Sequence, residues 1–304
     1  MASRRLRFNV YLGLLAFAGS AGLLAAGVPF MKTWFYCCAW WSFLLSLDGL
    51  NFRRTGASTL FEAAPDFLFS VFLSVPVWLV FELFNLRLKN WSYHGLPVSL
   101  PERWAGYFIG FATVIPALKI IAAFTRSLSN KTTPFRRRLA VTPALLRLSF
   151  VLGFGSLAAT LAWPRLFFPL VWLGFIFLIE PLNYRRRWPS LLRDLEEGDI
   201  SRIAGWTAAG LAAGLIWELF NFWAGSHWEY HIPYLNFGRL FQMPVFGFLG
   251  FLPFALEVFA IDAFARGLYG RLKDRPSFRP AFWIGLSAFD LAGFYLIDIM
   301  TVVQ

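Results

Sequence analysis

The chain has 304 residues, of which 58% are hydrophobic and 15% charged, with a formal charge of +11 and a mean hydropathy of +0.57. These values exclude an ordinary soluble globule and describe an integral membrane protein. They also argue against a nucleic-acid partner, because the basic residues sit in blocks between apolar runs rather than in a basic soluble domain with interleaved aromatics.

The N-terminal Arg4, Arg5 and Arg7 precede an apolar stretch reaching Phe30. That stretch exceeds the roughly 7–15 apolar residues of a signal peptide, so it reads as a retained first helix. Crossing the hydrocarbon takes roughly 20 helical residues, and about nine segments qualify. They run near Asn9 to Phe30, Thr33 to Leu50, Phe67 to Leu86, Trp104 to Phe124, Thr142 to Trp163, Phe167 to Leu182, Ile203 to Trp223, Met243 to Phe264 and Ala281 to Val303. Cys37 and Cys38, the only cysteines, are adjacent inside the second, which leaves no disulfide framework or zinc cluster.

Lysine and arginine alternate in density between successive loops. With the N-terminus inside, the inner segments hold 20 of them and the outer segments six. The asymmetry predicts a plasma (inner) membrane protein with a cytoplasmic N-terminus and an external C-terminus.

The chain repeats itself. Glu82 and Asn85 recur as Glu218 and Asn221, 136 positions later, while Trp91, Tyr93, His94 and Pro116 recur as Trp228, Tyr230, His231 and Pro253 at 137. Asp48-Gly-Leu-Asn-Phe-Arg-Arg54 recurs as Glu180-Pro-Leu-Asn-Tyr-Arg-Arg186 at 132. The expected architecture is therefore all-α, with one four-helix membrane repeat over 1–138, a second over 139–275, and an additional helix over 276–304. An even helix number gives both copies the same orientation, so a pseudo-twofold axis along the membrane normal is expected.

Intramembrane carboxylates are costly and call for a purpose. In each copy Glu and Asn lie three residues apart on one helical face, followed by a Trp-x-Tyr-His segment suited to the interface. Glu82 and Glu218, with His94 and His231, are the candidate catalytic groups. Asn85, Asn221, Tyr93, Tyr230, Trp91, Trp228 and Glu257 are candidate binding groups around one outward-opening pocket per copy. The structural alternative is that each Glu is polar glue, accepting hydrogen bonds from its own loop.

Other polar residues have plainer readings. Asp48 and Glu180 are expected to pair with the arginines that follow them, the alternative being an inner phosphate site for a lipid head group. His227 and His231 have a helical metal-ligand spacing, but Pro233 argues against a helix, and no metal site is assigned. Glu257 is expected to pair with Lys119 across the copies or to act as an acid. Asp262 and Arg147 are candidates for buried pairing, and Asp290 and Asp298 share a face of the ninth helix. Gly110, Gly247 and Gly250 fit close helix packing.

At Trp217-Glu-Leu-Phe-Asn, Trp228-Glu-Tyr-His-Ile-Pro and Met243-Pro-Val-Phe-Gly-Phe-Leu-Gly, the chain resembles an uncharacterised group of bacterial polytopic membrane proteins. It is more weakly similar to membrane carotenoid hydratases, which order an intramembrane Glu, an aromatic-x-Tyr segment and a hydrophobic-Pro-hydrophobic helix start in the same way. The Gly- and Thr-rich stretch of those enzymes is missing here, so their substrate is not carried over.

The function expected first is acid–base chemistry on a membrane-embedded lipid or isoprenoid, with Glu218 or Glu82 as proton donor and Asn221, Tyr230 and His231 orienting the substrate. The 36 phenylalanines and 14 tryptophans suit a flat or long apolar ligand. The alternatives are a proton- or cation-coupled transporter and a non-catalytic scaffold. The expected partner is a membrane lipid or other apolar small molecule; no cofactor or protein partner is indicated.

Overall fold

The computed structural model describes residues 2–61, 64–128, 134 and 138–303, with side chains from residue 8 onward except that of Lys273. Of the basic residues counted above, the side chains of Arg4, Arg5, Arg7 and Lys273 and the whole of Lys131, Arg136 and Arg137 fall outside this set.

The elements in chain order are α1 (Ala2–Ala25), α2 (Pro29–Thr55), α3 (Ala64–Leu88), β1 (Trp91–His94), α4 (Leu100–Phe111), α5 (Val114–Leu128), α6 (Pro143–Ala162), α7 (Pro164–Phe167), α8 (Val171–Arg186), α9 (Leu191–Glu197), α10 (Ser201–Trp223), β2 (His227–Tyr230), β3 (Arg239–Leu240), β4 (Met243–Pro244), α11 (Phe251–Arg271) and α12 (Phe278–Met300). Eight helical stretches among the described residues are long and apolar enough to cross a membrane. Their outer surfaces carry large apolar side chains such as Leu15, Val151, Phe154 and Ile284, each more than 60% exposed, as a lipid-facing bundle requires.

Small residues let these helices approach closely. Gly13 of α1 lies against Ser46 of α2, and Gly153 of α6 against Gly174 and Leu178 of α8. Gly210 and Gly214 of α10 lie against the backbone and ring of Phe251. The buried centre is aromatic, with Phe81 stacked on Trp172 at 5.1 Å and Trp40 beside Trp217 at 5.5 Å.

Three expected helices are interrupted. The fourth breaks at Ala112–Thr113 into α4 and α5, and the Thr113 hydroxyl donates to Gly110 O at 2.6 Å. The sixth begins as the short α7 and a 3-10 turn over Phe168–Leu170, and the eighth begins as β4 and a 3-10 segment over Val245–Gly250. Helices α5 and α11 start at Val114 and Phe251, 137 positions apart, and each carries proline, Pro116 or Pro253, at its third residue. A proline there offers no N–H to the preceding turn, so the helix restarts rather than continues.

The loops segregate to two ends. One end gathers β1, β2 and the chain end, where Tyr93 N donates to Thr301 O and Val303 N to Tyr93 O. The basic end joins Arg54 to Ser127 and Arg266 to Asp66. There Glu180, expected to pair with its arginines, instead clamps the loop that follows its helix, and Asp48 makes the matching loop contacts. Asp48 accepts from the Ser58 hydroxyl at 2.6 Å and Thr59 N at 2.7 Å, and Glu180 from the Ser190 hydroxyl at 2.7 Å and Leu192 N at 3.1 Å. The reason is reach: the chain turns back after each helix and brings a serine ten residues on against the carboxylate. Lys119 likewise binds Asp262 at 3.0 Å and Asp66 at 3.7 Å, not Glu257. Arg266 also holds Asp262 at 2.8 Å. Arg147 is exposed rather than buried in a pair.

Also at this end, burial pushes the Asp194 carboxyl of α9 up to about 6, against the opposing pull of Arg202 at 3.4 Å. The unfolded carboxyl titrates near about 3.9, so the folded chain holds this proton more tightly. Its contribution to stability is complete below about pH 4 and is lost as pH rises through about 6. The melting temperature of wild type relative to Asp194→Asn is therefore expected to fall between pH 4 and pH 7. A difference that stays constant over that interval would contradict the assignment.

Candidate functional site

The organising feature is a two-stranded ribbon. β1 pairs antiparallel with β2 in the register Trp91 to Tyr230, Ser92 to Glu229, Tyr93 to Trp228 and His94 to His227. The register is symmetric about Ser92 and Glu229, so the pair Trp91 to Tyr230 on one side is matched by Tyr93 to Trp228 on the other. Alternation along each strand sends successive side chains to opposite faces. Trp91, Tyr93, Trp228 and Tyr230 face the helices, whereas Ser92, His94 and Glu229 face away.

Asn85 and Asn221 fix the ribbon to α3 and α10. The Asn85 amide donates to Trp91 O at 2.9 Å, and its oxygen accepts from Asn90 N at 2.9 Å and Trp91 N at 3.2 Å. Asn221 donates to Trp228 O at 2.8 Å and accepts from Trp228 N at 2.9 Å. Each amide supplies the donor and acceptor that a chain leaving a helix end lacks. After α3 the reversal also puts Lys89 at φ 55°, in the left-handed region.

The two glutamates are held alike by their ribbon aromatics but finish differently. Glu82 Oε1 accepts from the Tyr93 hydroxyl at 2.5 Å, Trp78 Nε1 at 2.8 Å and Trp91 Nε1 at 3.1 Å, while Oε2 accepts from Trp91 Nε1 at 3.2 Å. Glu218 Oε1 accepts from the Tyr230 hydroxyl at 2.9 Å and Trp228 Nε1 at 3.2 Å. Glu218 Oε2 is buried and has no partner among the described residues. The two glutamates also differ in donor number: Trp78 donates to Glu82 Oε1, whereas Gly214 stands 136 positions on and the Phe251 ring occupies that space.

Glu218 lines a cavity of about 520 Å³ whose walls are mostly apolar and rich in aromatic side chains. Trp91, Tyr93, Trp228 and Tyr230 close it on the ribbon side, and Trp78, Trp172, Trp217 and Phe254 line its depth. All three helix interruptions contribute lining, through Gly110 and Phe111, Phe168 and Pro169, and Phe246, Gly247, Leu249 and Gly250. Irregular backbone at membrane depth is tolerated where it borders a cavity. Gly110 therefore makes no close helix contact; a side chain built there would meet open space.

Among the sequence candidates, Glu218, Tyr230, Tyr93, Trp228 and Trp91 line this cavity, while Glu82, Asn85 and Asn221 lie behind its wall. The expected single pocket joining Glu, Asn, Tyr and His in each copy is corrected for the histidines: His94 and His231 lie across the ribbon from the glutamates. Glu257 is fully buried and accepts from Phe175 N of α8 at 2.9 Å, so it braces a helix rather than facing the cavity. Asp298 does the same for α12, accepting from Arg103 and Trp104 at 2.6 Å and Tyr107 at 2.8 Å. His227 and His231 do not share a ligand position. Four residues of extended chain separate them by about 13 Å, and His227 turns to Gly225 O at 2.9 Å and Glu229 at 3.3 Å. The group whose donor atoms approach within 4.8 Å of one another is instead His94, Glu229 and His231.

Tyr36 and Trp172 were not singled out from the sequence, and Trp217 appeared there only as the first residue of a motif, not as a site residue. Tyr36 lines the cavity and meets Trp228 edge-on at 5.0 Å. The only available signal was the 132-position offset, which relates Tyr36 to Phe168 and Trp40 to Trp172. Comparison with protein-family models, curated proteins and solved structures returns no match. The fold and site thus define a helical, multi-pass membrane protein with a carboxylate-bearing aromatic cavity.

Proposed function

We propose that the protein binds a flat or long apolar molecule from the bilayer, of the isoprenoid or lipid class, and performs acid–base chemistry on it through Glu218. The observation that carries this reading is that Glu218, whose buried Oε2 has no partner among the described residues, is the one carboxylate residue bordering a cavity of about 520 Å³ rich in aromatic side chains. An apolar cavity with few polar groups orients a ligand by those groups. Tyr230 and Trp228 hold Oε1, so Oε2 is the atom that exchanges a proton with the ligand. Glu82, saturated by Trp78, Trp91 and Tyr93, serves as the anchor of β1.

The same reading takes the chain as nine spans, counting α2, with two four-helix copies related by a pseudo-twofold axis through the ribbon. Its support is the paired register of β1 and β2, the matching bonds of Asn85 and Asn221, and the matching loop clamps of Asp48 and Glu180. Helix α2 packs Trp40 on Trp217 of α10 as α8 packs Trp172 on Phe81 of α3, so each copy embraces the other. The basic end faces the cytoplasm in this arrangement, and the ribbon and C-terminus face outward. Coupled transport fits less well, because the charges between the cavity and the basic end, Lys119, Asp262, Arg266 and Asp66, already neutralise one another.

Lipids extracted from purified wild type, Glu218→Gln and Glu82→Gln, resolved by mass spectrometry, test the assignment. Wild type and Glu82→Gln are expected to carry the same product, and Glu218→Gln the unconverted precursor with conversion reduced at least about 100-fold. Equal conversion by Glu218→Gln would remove Glu218 as the acid.

A further inference from the structure

The outward face of the ribbon gathers a second set of polar side chains. Ser92 Oγ lies 2.9 Å from His94 Nε2 and 3.0 Å from His231 Nε2, so the same nitrogen of two imidazoles converges on one point. Glu229, opposite Ser92 in the register, brings a carboxylate to that point. We propose that this face binds a divalent transition metal, best matched to Zn2+, through His94 Nε2, His231 Nε2 and one Glu229 oxygen, independently of the reading of Glu218.

Two imidazoles and a carboxylate form an established zinc donor set with a fourth position left for water. The donor atoms lie within 4.8 Å of one another, and closing them onto a metal at about 2.0–2.2 Å needs side-chain movements of about 1 Å. The backbone beneath them is fixed, since β1 and β2 are paired, Asn85 and Asn221 clamp their starts, and His231 N donates to Asn90 O at 2.7 Å. Glu229 is further oriented by His227, whose Nε2 lies 3.3 Å from the carboxylate. A histidine bonded to a ligating carboxylate is the outer-shell arrangement that metal sites use for orientation. The site would join β1 to the chain around β2, and so staple the ribbon that closes the cavity.

Isothermal titration of the tag-free, metal-stripped full chain in detergent with Zn2+ tests the site. Saturable binding of one ion per chain is expected, weakened at least tenfold by His94→Ala, by His231→Ala and by Glu229→Gln, with a smaller loss for His227→Ala. In the unaltered chain, Zn2+ is expected to shield His94 and His231 from diethyl pyrocarbonate, read by peptide mass spectrometry; this measurement stands if a variant fails to fold. The absence of one-to-one binding, unchanged affinity in a folded His94→Ala/His231→Ala chain, or equal modification of both histidines with and without Zn2+ would each overturn the site.

Discussion

Asn85→Ala is expected to lower the stability of the protein by about 3 kcal/mol or more, because it strands three backbone groups at once and each unmet group costs roughly 1–3 kcal/mol. The Asn85 side chain is completely buried and serves Asn90 N, Trp91 N and Trp91 O. Water does not reach these groups to replace it. Asn221→Ala strands only Trp228 N and O, so its effect is expected to be about two-thirds as large. Thermal unfolding in detergent ranks the two, and limited proteolysis between residues 89 and 98 reports detachment of β1. Equal melting temperatures for wild type and Asn85→Ala would show that the ribbon does not depend on this amide.

Gly110→Phe is expected to abolish ligand retention while leaving the fold intact. Gly110 borders the cavity, and a Cβ added to it meets nothing within 4 Å. A benzyl group there projects into the space assigned to the apolar ligand and displaces it sterically. The lipid extract of this variant is expected to lose the specific component at least about tenfold, since a clash worth over 1.4 kcal/mol already costs that factor. Gly210→Phe provides the contrast, because Gly210 packs directly on the Phe251 backbone and its enlargement should unfold the α10–α11 contact. Full retention by Gly110→Phe would place the ligand outside this cavity.

These two variants act on features of different legibility. The asparagines were visible in the sequence because an amide on the face of a glutamate, repeated 136 positions later, is a pattern that one chain can display to itself. The cavity was not visible. Gly110, Gly247 and Gly250 carry the small-residue spacing of helix packing, and whether such a residue abuts a neighbour or leaves a void depends on the position of the neighbouring helix. The same limit applied to Lys119 and Glu257. They stand at almost the same level in the two copies, yet the rotation of α5 and α11 gives Lys119 to Asp262 and Asp66 and turns Glu257 toward α8.

The sequence by itself determined the membrane class and the predominantly helical architecture, because hydropathy and helix length are local properties of consecutive residues. Only the tertiary structure decided that His94 and His231 leave the glutamates, since the Trp-x-Tyr-His segments become paired strands and strand alternation assigns their faces. Only the tertiary structure, too, distinguished Glu218 from Glu82. Both sit in the same local motif, but Glu218 lacks the third donor that Trp78 gives Glu82, because Gly214 stands one turn away and Phe251, from a different helix, takes up that space, and its Oε2 has no partner among the described residues.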